Sequence, residues 1–139
     1  MRSIASALLL LILPSVVSAQ QDSEHPIDLR LDECIEEDPS THGTVACMRT
    51  AYDEWDAELN RVYQQLLTEL SHDDDATASL RSAQRAWIGF RDAELAFSAH
   101  LYGTRDGTMW QVVAAGARVD IVRQRALDLS DYLWALAPD

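Results

Sequence analysis

Apolar side chains recur along this chain at spacings of three and four. Tyr52, Trp55, Leu59, Val62 and Leu66 form the first such series, and Met48 and Leu70 prolong it at both ends. That is the period of a helix and not the period of two of a strand. Thr44 is the expected N-cap. Ser71-His72-Asp73-Asp74-Asp75 breaks the pattern and reads as a loop, with aspartates suited to the positive end of the next helix. Leu80, Ala83, Trp87, Phe90, Glu94, Phe97 and Leu101 form the second series, which stops at Tyr102-Gly103. Gly103 to Thr108 reads as a second loop, punctuated by two glycines. Val112, Ala115, Val119, Val122, Ala126, Leu129, Leu133 and Leu136 form the third. No convincing alternating run occurs after residue 19. The pattern predicts an all-α protein, an antiparallel three-helix bundle over residues 44–139 in which each helix turns its stripe toward the other two. Residues 20–43, with Pro26 and Pro39, are expected to form an N-terminal arm that docks through Leu29, Leu31 and Ile35.

The first nineteen residues read differently. Arg2 supplies a positive start, Ile4 to Leu13 is apolar except for Ser6, and Val17-Ser18-Ala19 offers small residues to a signal peptidase. The apolar run is shorter than the roughly 20 residues that span a bilayer. Residues 1–19 are therefore expected to be a signal peptide. No cysteine follows the cleavage position, so no membrane anchor is expected after cleavage, and the location is periplasmic or secreted.

Export changes how the cysteines read. Cys34 and Cys47 are the only two in 139 residues, and an even count in an oxidising compartment implies a disulfide. Closing the loop between them is worth roughly 3 kcal/mol and would pin the arm to the first helix. A zinc site needs more ligands at tighter spacing.

Charge narrows the partners. The chain holds 23 acidic residues and 11 basic ones, all arginine, for a net charge of −12. A nucleic-acid binder needs a basic face, so that class is excluded. The asymmetry is sharp: residues 20–75 contain 16 acids and three arginines, while residues 76–139 contain seven of each. The acidic half is the place to expect a basic partner.

Candidate chemistry is sparse. Asp56 and Asn60, Gln84 and Arg91 beside Trp87, Asp92, Glu94 and Arg125 place polar groups along the helices. They read as an inter-helix network that fixes register, with acid–base chemistry as the weaker alternative. His25, His42, His72 and His100 are scattered. His72 with Asp73 to Asp75 reads as a solvated acidic loop and not as a metal site. No metal, cofactor or catalytic residue is expected. Asp73, Asp74, Asp75, Asp106 and Trp110, all in or beside the two loops, are the candidate binding residues.

Two stretches carry a family resemblance. Asp56, Leu59, Asn60 and Tyr63 stand as D-x-x-L-N-x-x-Y, and Ala83, Gln84, Trp87, Arg91 and Asp92 as A-Q-x-x-W-x-x-x-R-D. Asp106-Gly107-Thr108 supplies a turn, and Val122, Arg125 and Leu129 match a closing T-x-x-R-x-x-x-L with valine in place of threonine. Together these resemble the LprI-like family of bacterial envelope proteins, named for a lysozyme inhibitor. Members usually carry two further cysteines, where this chain has Leu95 and about Ala117, so one family disulfide is absent. The family's namesake also resembles a lipid-anchored protein with sequence beyond this domain. The resemblance implies a non-enzymatic inhibitor of lysozyme or a related peptidoglycan hydrolase. C-type lysozymes are basic, so the acidic half would steer the protein onto them. The alternative is an envelope stress or structural module that binds another protein.

Overall fold

The computed structural model describes residues 24–137. These form four α-helices: α1 (Pro26–Glu37), α2 (Thr41–Glu69), α3 (Asp74–Gly103) and α4 (Met109–Leu136). The expected signal peptide lies outside the described residues. The all-α class stands, but the three-helix description needs correction, because most of the expected arm is itself helical.

Local chemistry explains α1. Pro26 opens the helix, where its missing N–H costs nothing. His25 caps it, its Nδ1 accepting from Ile27 N at 3.2 Å. Asp28 sits in the first turn, favoured by the helix dipole. Pro39 prevents the helix from running on into α2.

The start of α2 is also earlier than expected. Ser40, not Thr44, is the N-cap, and its Oγ accepts from Gly43 N at 3.0 Å. Thr44 lies inside the helix and is buried, so the expected boundary at residues 43 and 44 falls within α2. Residues Asp38 to Ser40 make so tight a corner that a Cβ on Gly43 would collide with the side chain and carbonyl of Asp38. Cys34 and Cys47 form a disulfide with Cα atoms 5.8 Å apart, tying α1 to α2.

α2 and α4 are the centre of the molecule. Met48 lies against Gly116, Arg118 over Tyr52 and Arg123 over Trp55. Register thus increases together, so the two helices run parallel, with α3 returning antiparallel between them in sequence. Trp55, Leu59, Val62 and Leu66 of α2 and Val119, Val122, Ala126 and Leu129 of α4 form the core, joined by Ile27 of α1. α1 packs on α2, and α3 packs chiefly on α4. The first and third sequence stripes thus face the core as expected through their middle turns, while Tyr52, Val112, Ala115 and Leu133 are half-buried and Leu136 is exposed.

The second stripe does not face the core. Of the residues of α3, only Gln84 and Ser98 are buried, while Leu80, Trp87, Arg91 and Leu95 are half-buried. The inner line of α3 therefore runs through Leu80, Gln84, Trp87, Arg91, Leu95 and Ser98. Ala83, Phe90, Glu94 and Phe97, expected inside, are exposed. Polar anchoring fixes this rotation: Gln84 accepts from Arg125 on α4, and Arg91 faces Asp56 on α2. Among the described residues, no helix is long and apolar enough to cross a membrane.

Candidate functional site

The polar residues singled out from sequence converge around Trp87. Arg125 Nε donates to Gln84 Oε1 at 3.0 Å. The guanidinium groups of Arg91 and Arg125 lie 5.3 and 5.9 Å from the Trp87 ring centroid, within cation–π range. Arg91 also reaches Asp56 at 4.0 Å and Asp92 at 2.8 Å. Asn60 Nδ2 donates to the Asp56 carboxylate at 3.1 Å and to the Asp56 carbonyl at 2.8 Å. Glu94 stands outside this group: it is exposed and makes no polar contact with any described residue.

This cluster bridges helices and holds no reacting pair. Its carboxylates, Asp56 and Asp92, are both committed to Arg91, and Asp92 is largely exposed. Arg125 Nη2 is buried without a partner among the described protein atoms, so its charge is held by Gln84 and the Trp87 face alone. Among the described residues no group of three or more His, Cys, Asp or Glu side chains could hold a metal ion.

A second node escaped the sequence reading. Asp28 accepts from Trp55 Nε1 at 3.1 Å and from Arg123 Nε and Nη2 at 2.9 and 2.8 Å. The His25 ring packs at 4.3 Å from the Trp55 ring. One carboxylate thus joins α1, α2 and α4. The signal available was an aspartate two residues after a proline at a helix start, but it is visible only once residues 26–37 are read as helix.

The candidate binding residues divide between the two ends of the molecule. Asp73 caps α3, its Oδ1 accepting from Ala76 N at 2.9 Å, and Asp74 and Asp75 fill the first turn. Asp106 and Trp110 lie at the other end of α3, a helix of 30 residues and so about 45 Å long. Trp110 is half-buried, stacked on Tyr102 at 5.8 Å and covered by Arg105. The two sets cannot act as one site.

The parallel run of α2 and α4 brings other groups to the Asp106 end. The Asp38–Ser40 corner before α2 and the 104–108 loop before α4 lie at the same end of the molecule. α1 delivers Asp32, Glu33, Glu36, Glu37 and Asp38 toward it, all exposed. None of the five is in a salt bridge among the described residues. Asp38 accepts from Ser40 N at 3.1 Å, and hydrogen bonding by Ser40 holds its carboxyl below the ordinary range. Glu36 and Glu37 occupy the last turn of α1, which contains no basic residue. Negative charge there opposes the helix dipole.

A disulfide-tied all-α domain with an inter-helix polar cluster and one acidic end is the class these features define. The sequence pattern described as "Lysozyme inhibitor LprI" matches residues 34–129, and the chain belongs to that family. The chain is 28% identical over 98 residues to an uncharacterized protein of Rhizobium meliloti (strain 1021), an overlap of 63% of this chain and 69% of that one. It also resembles a crystal structure of an uncharacterized protein from Burkholderia thailandensis, with a TM-score of 0.71 and 32% identity. That overlap covers 76% of this chain but only 52% of the other, so this chain spans about half the length of that relative. The family is named for an inhibitor and not for a catalyst.

Proposed function

We propose that this protein is an extracytoplasmic inhibitor of a lysozyme-type muramidase, acting through the acidic end formed by α1 and the 104–108 loop. The family and the disulfide support the compartment and the target class. The observation that carries the choice of surface is the row of exposed, unpaired carboxylates on α1. Glu36 and Glu37 stand where the helix itself disfavours them, so helix stability does not account for them. A basic hydrolase would be steered onto this end, and a carboxylate entering its cleft would oppose the catalytic acids or occupy a substrate hydrogen-bond position. Asp106 and Trp110 lie at the same end and are candidate contacts. Asp73 to Asp75 are assigned the local work of starting α3.

The test is a lysis assay with the mature protein at micromolar concentration against c-type and bacterial muramidases. Lysis should slow, and the effect should weaken as salt rises and screens the charges. Unchanged lysis at every salt concentration would sink the proposal. A pull-down that recovers a different envelope protein, with no lysozyme bound, would favour an interaction module instead.

A further inference from the structure

We propose that the groove between the N-terminal halves of α2 and α4 is a binding site for a free α-amino acid with an apolar side chain. On α2, Val45, Met48, Arg49 and Tyr52 fall at helical spacing on one face, with Asp53 beside them. On α4, Ala115 and Arg118 complete a groove of about 360 Å³. Ligand pockets begin at about this size and join an apolar lining to a few polar groups. Val45, Met48, Tyr52 and Ala115 are half-buried and make the floor, while Arg49, Asp53 and Arg118 are exposed and make the rim. Both walls belong to the two helices of the core, whose spacing is fixed by Trp55 and Leu59 against Val119 and Val122. The groove therefore exists before any ligand arrives.

Three observations select the occupant. First, the rim holds cations that the fold does not use. Neither Arg49 nor Arg118 is in an ion pair among the described residues. Arg118 is held over the Tyr52 ring, 5.5 Å from its centroid, which keeps its charge above the floor. Two guanidinium groups beside an apolar hollow suit a carboxylate. Second, Asp53 lines the same groove. It stands four positions from Arg49, the ordinary spacing of an ion pair on a helix, yet the two do not pair. Its carboxylate is an acceptor for an ammonium group. An α-amino acid carries both charges on one carbon, the carboxylate for the arginines and the ammonium for Asp53, and its apolar side chain covers the floor. Third, the chain has a net charge of −12, which repels a simple anion at a distance. A zwitterion has no net charge and meets no such barrier. Cys47, Ala51 and Glu54 face α1 from the other side of α2, so the groove leaves α1 free. The proposal therefore stands whether or not the muramidase reading holds.

Titrating L-leucine into the isotope-labelled mature protein and following its amide chemical shifts reads this directly. Amides of residues 45–53 and 115–118 should shift and saturate, with a dissociation constant of roughly 0.1–1 mM for a ligand of about nine non-hydrogen atoms. Leucinamide, which lacks the carboxylate, and glycine, which lacks the side chain, should each bind at least about tenfold more weakly. Arg49→Gln with Arg118→Gln should weaken leucine by at least about tenfold. Both side chains are exposed, so that variant should keep its helical circular dichroism and melting temperature. Asp53→Asn should weaken leucine but leave N-acetyl-leucine, which has no ammonium, unaffected. The ligand series needs no variant and stands by itself. The absence of a saturable shift at tens of millimolar leucine would overturn the proposal. So would leucinamide or N-acetyl-leucine binding as tightly as leucine, or binding indifferent to the arginine changes.

Discussion

The Asp28 carboxylate and the Arg123 guanidinium, 95 positions apart in sequence, meet at 2.8 Å and lock α1 to α4. Trp55 Nε1 completes the node from α2. The hydrogen bonds that Arg123 donates to Asp28 hold its guanidinium above its ordinary pKa. Asp28 is mostly buried while Arg123 is 37% exposed, so solvent screens part of the attraction. Asp28→Asn keeps the shape and removes the charge, leaving Trp55 and Arg123 imperfectly paired. Urea unfolding should show a loss of about 1–3 kcal/mol. In a double-mutant cycle with Arg123→Gln the two losses should be less than additive. Strict additivity would show that the pair is not coupled.

Gly43 offers a case in which two effects have opposite signs. It sits in the first turn of a long helix, where alanine is ordinarily preferred to glycine by up to about 1 kcal/mol. A Cβ there meets the Asp38 side chain and backbone, and the backbone of the corner cannot swing aside as a flexible side chain would. The clash should win. Gly43→Ala is expected to lower stability by about 1–3 kcal/mol, measured by thermal or urea unfolding. A stabilised variant would show that the α1–α2 corner is looser than described.

The sequence made the core helices legible because their signal is repetitive. Trp55, Leu59, Val62 and Leu66 and their partners Val119, Val122, Ala126 and Leu129 are apolar at every helical turn, and all are buried. α3 is rotated away from its apolar stripe for a physical reason. Its inner line uses Gln84, Arg91 and Ser98, so a search for hydrophobic periodicity selected the row through Phe90 and Phe97 instead. α1 escaped because its 12 residues bury one side chain, Ile27. Its stability lies in a cap, a disulfide and two long-range ion pairs, Asp28–Arg123 and Arg30–Glu54, none of which has a period. The polar cluster was legible as motif residues, but Glu94, which shares the exposed stripe of α3, stands outside it. The two loops were legible, although Asp74 and Asp75 belong to the first turn of α3 and Trp110 to α4; the separation of the two sites depends on helix length and direction, which a list of residues does not convey.

That thin attachment of α1 leads to a prediction about reduction. The Cys34–Cys47 bond closes a loop of 13 positions, worth roughly 3 kcal/mol in the chain-entropy view. Since α1 contributes little to the core, its loss should be local. In dithiothreitol, or in Cys34→Ala with Cys47→Ala, amides of residues 26–37 should lose hydrogen-exchange protection while those of α2 and α4 keep theirs. Uniform loss of protection across all four helices would show that α1 folds as part of the core.

Two carboxylates give the protein an acid limit. The hydrogen bond from Ser40 lowers the pKa of Asp38, and the hydrogen bond from Arg61 lowers that of Glu58. A carboxylate whose pKa is lower folded than unfolded stabilises the fold above its unfolded pKa. That contribution is lost as pH falls through the folded value. Stability should therefore be level from pH 7 to about 5 and decline below about 4. Asp38→Asn and Glu58→Gln should each make the decline shallower and leave the neutral-pH slope unchanged. An unchanged acid limb in the double variant would remove these two groups as its cause.

The acidic end of α1 should show stability and binding moving in opposite directions. Glu36 and Glu37 lie in the last turn of α1, where the exposed carbonyls already carry partial negative charge. Replacing both with lysine turns an unfavourable interaction with the helix end into a favourable one, and it relieves repulsion within an acidic surface. The melting temperature should rise by about 2 °C or more. If this end meets a basic muramidase, the same change should weaken inhibition and flatten its dependence on salt. Inhibition and melting temperature measured on the same preparations separate the cases. A stabilised variant that inhibits as well as wild type would remove α1 from the binding surface. A destabilised one would show that these glutamates have a structural role in the fold.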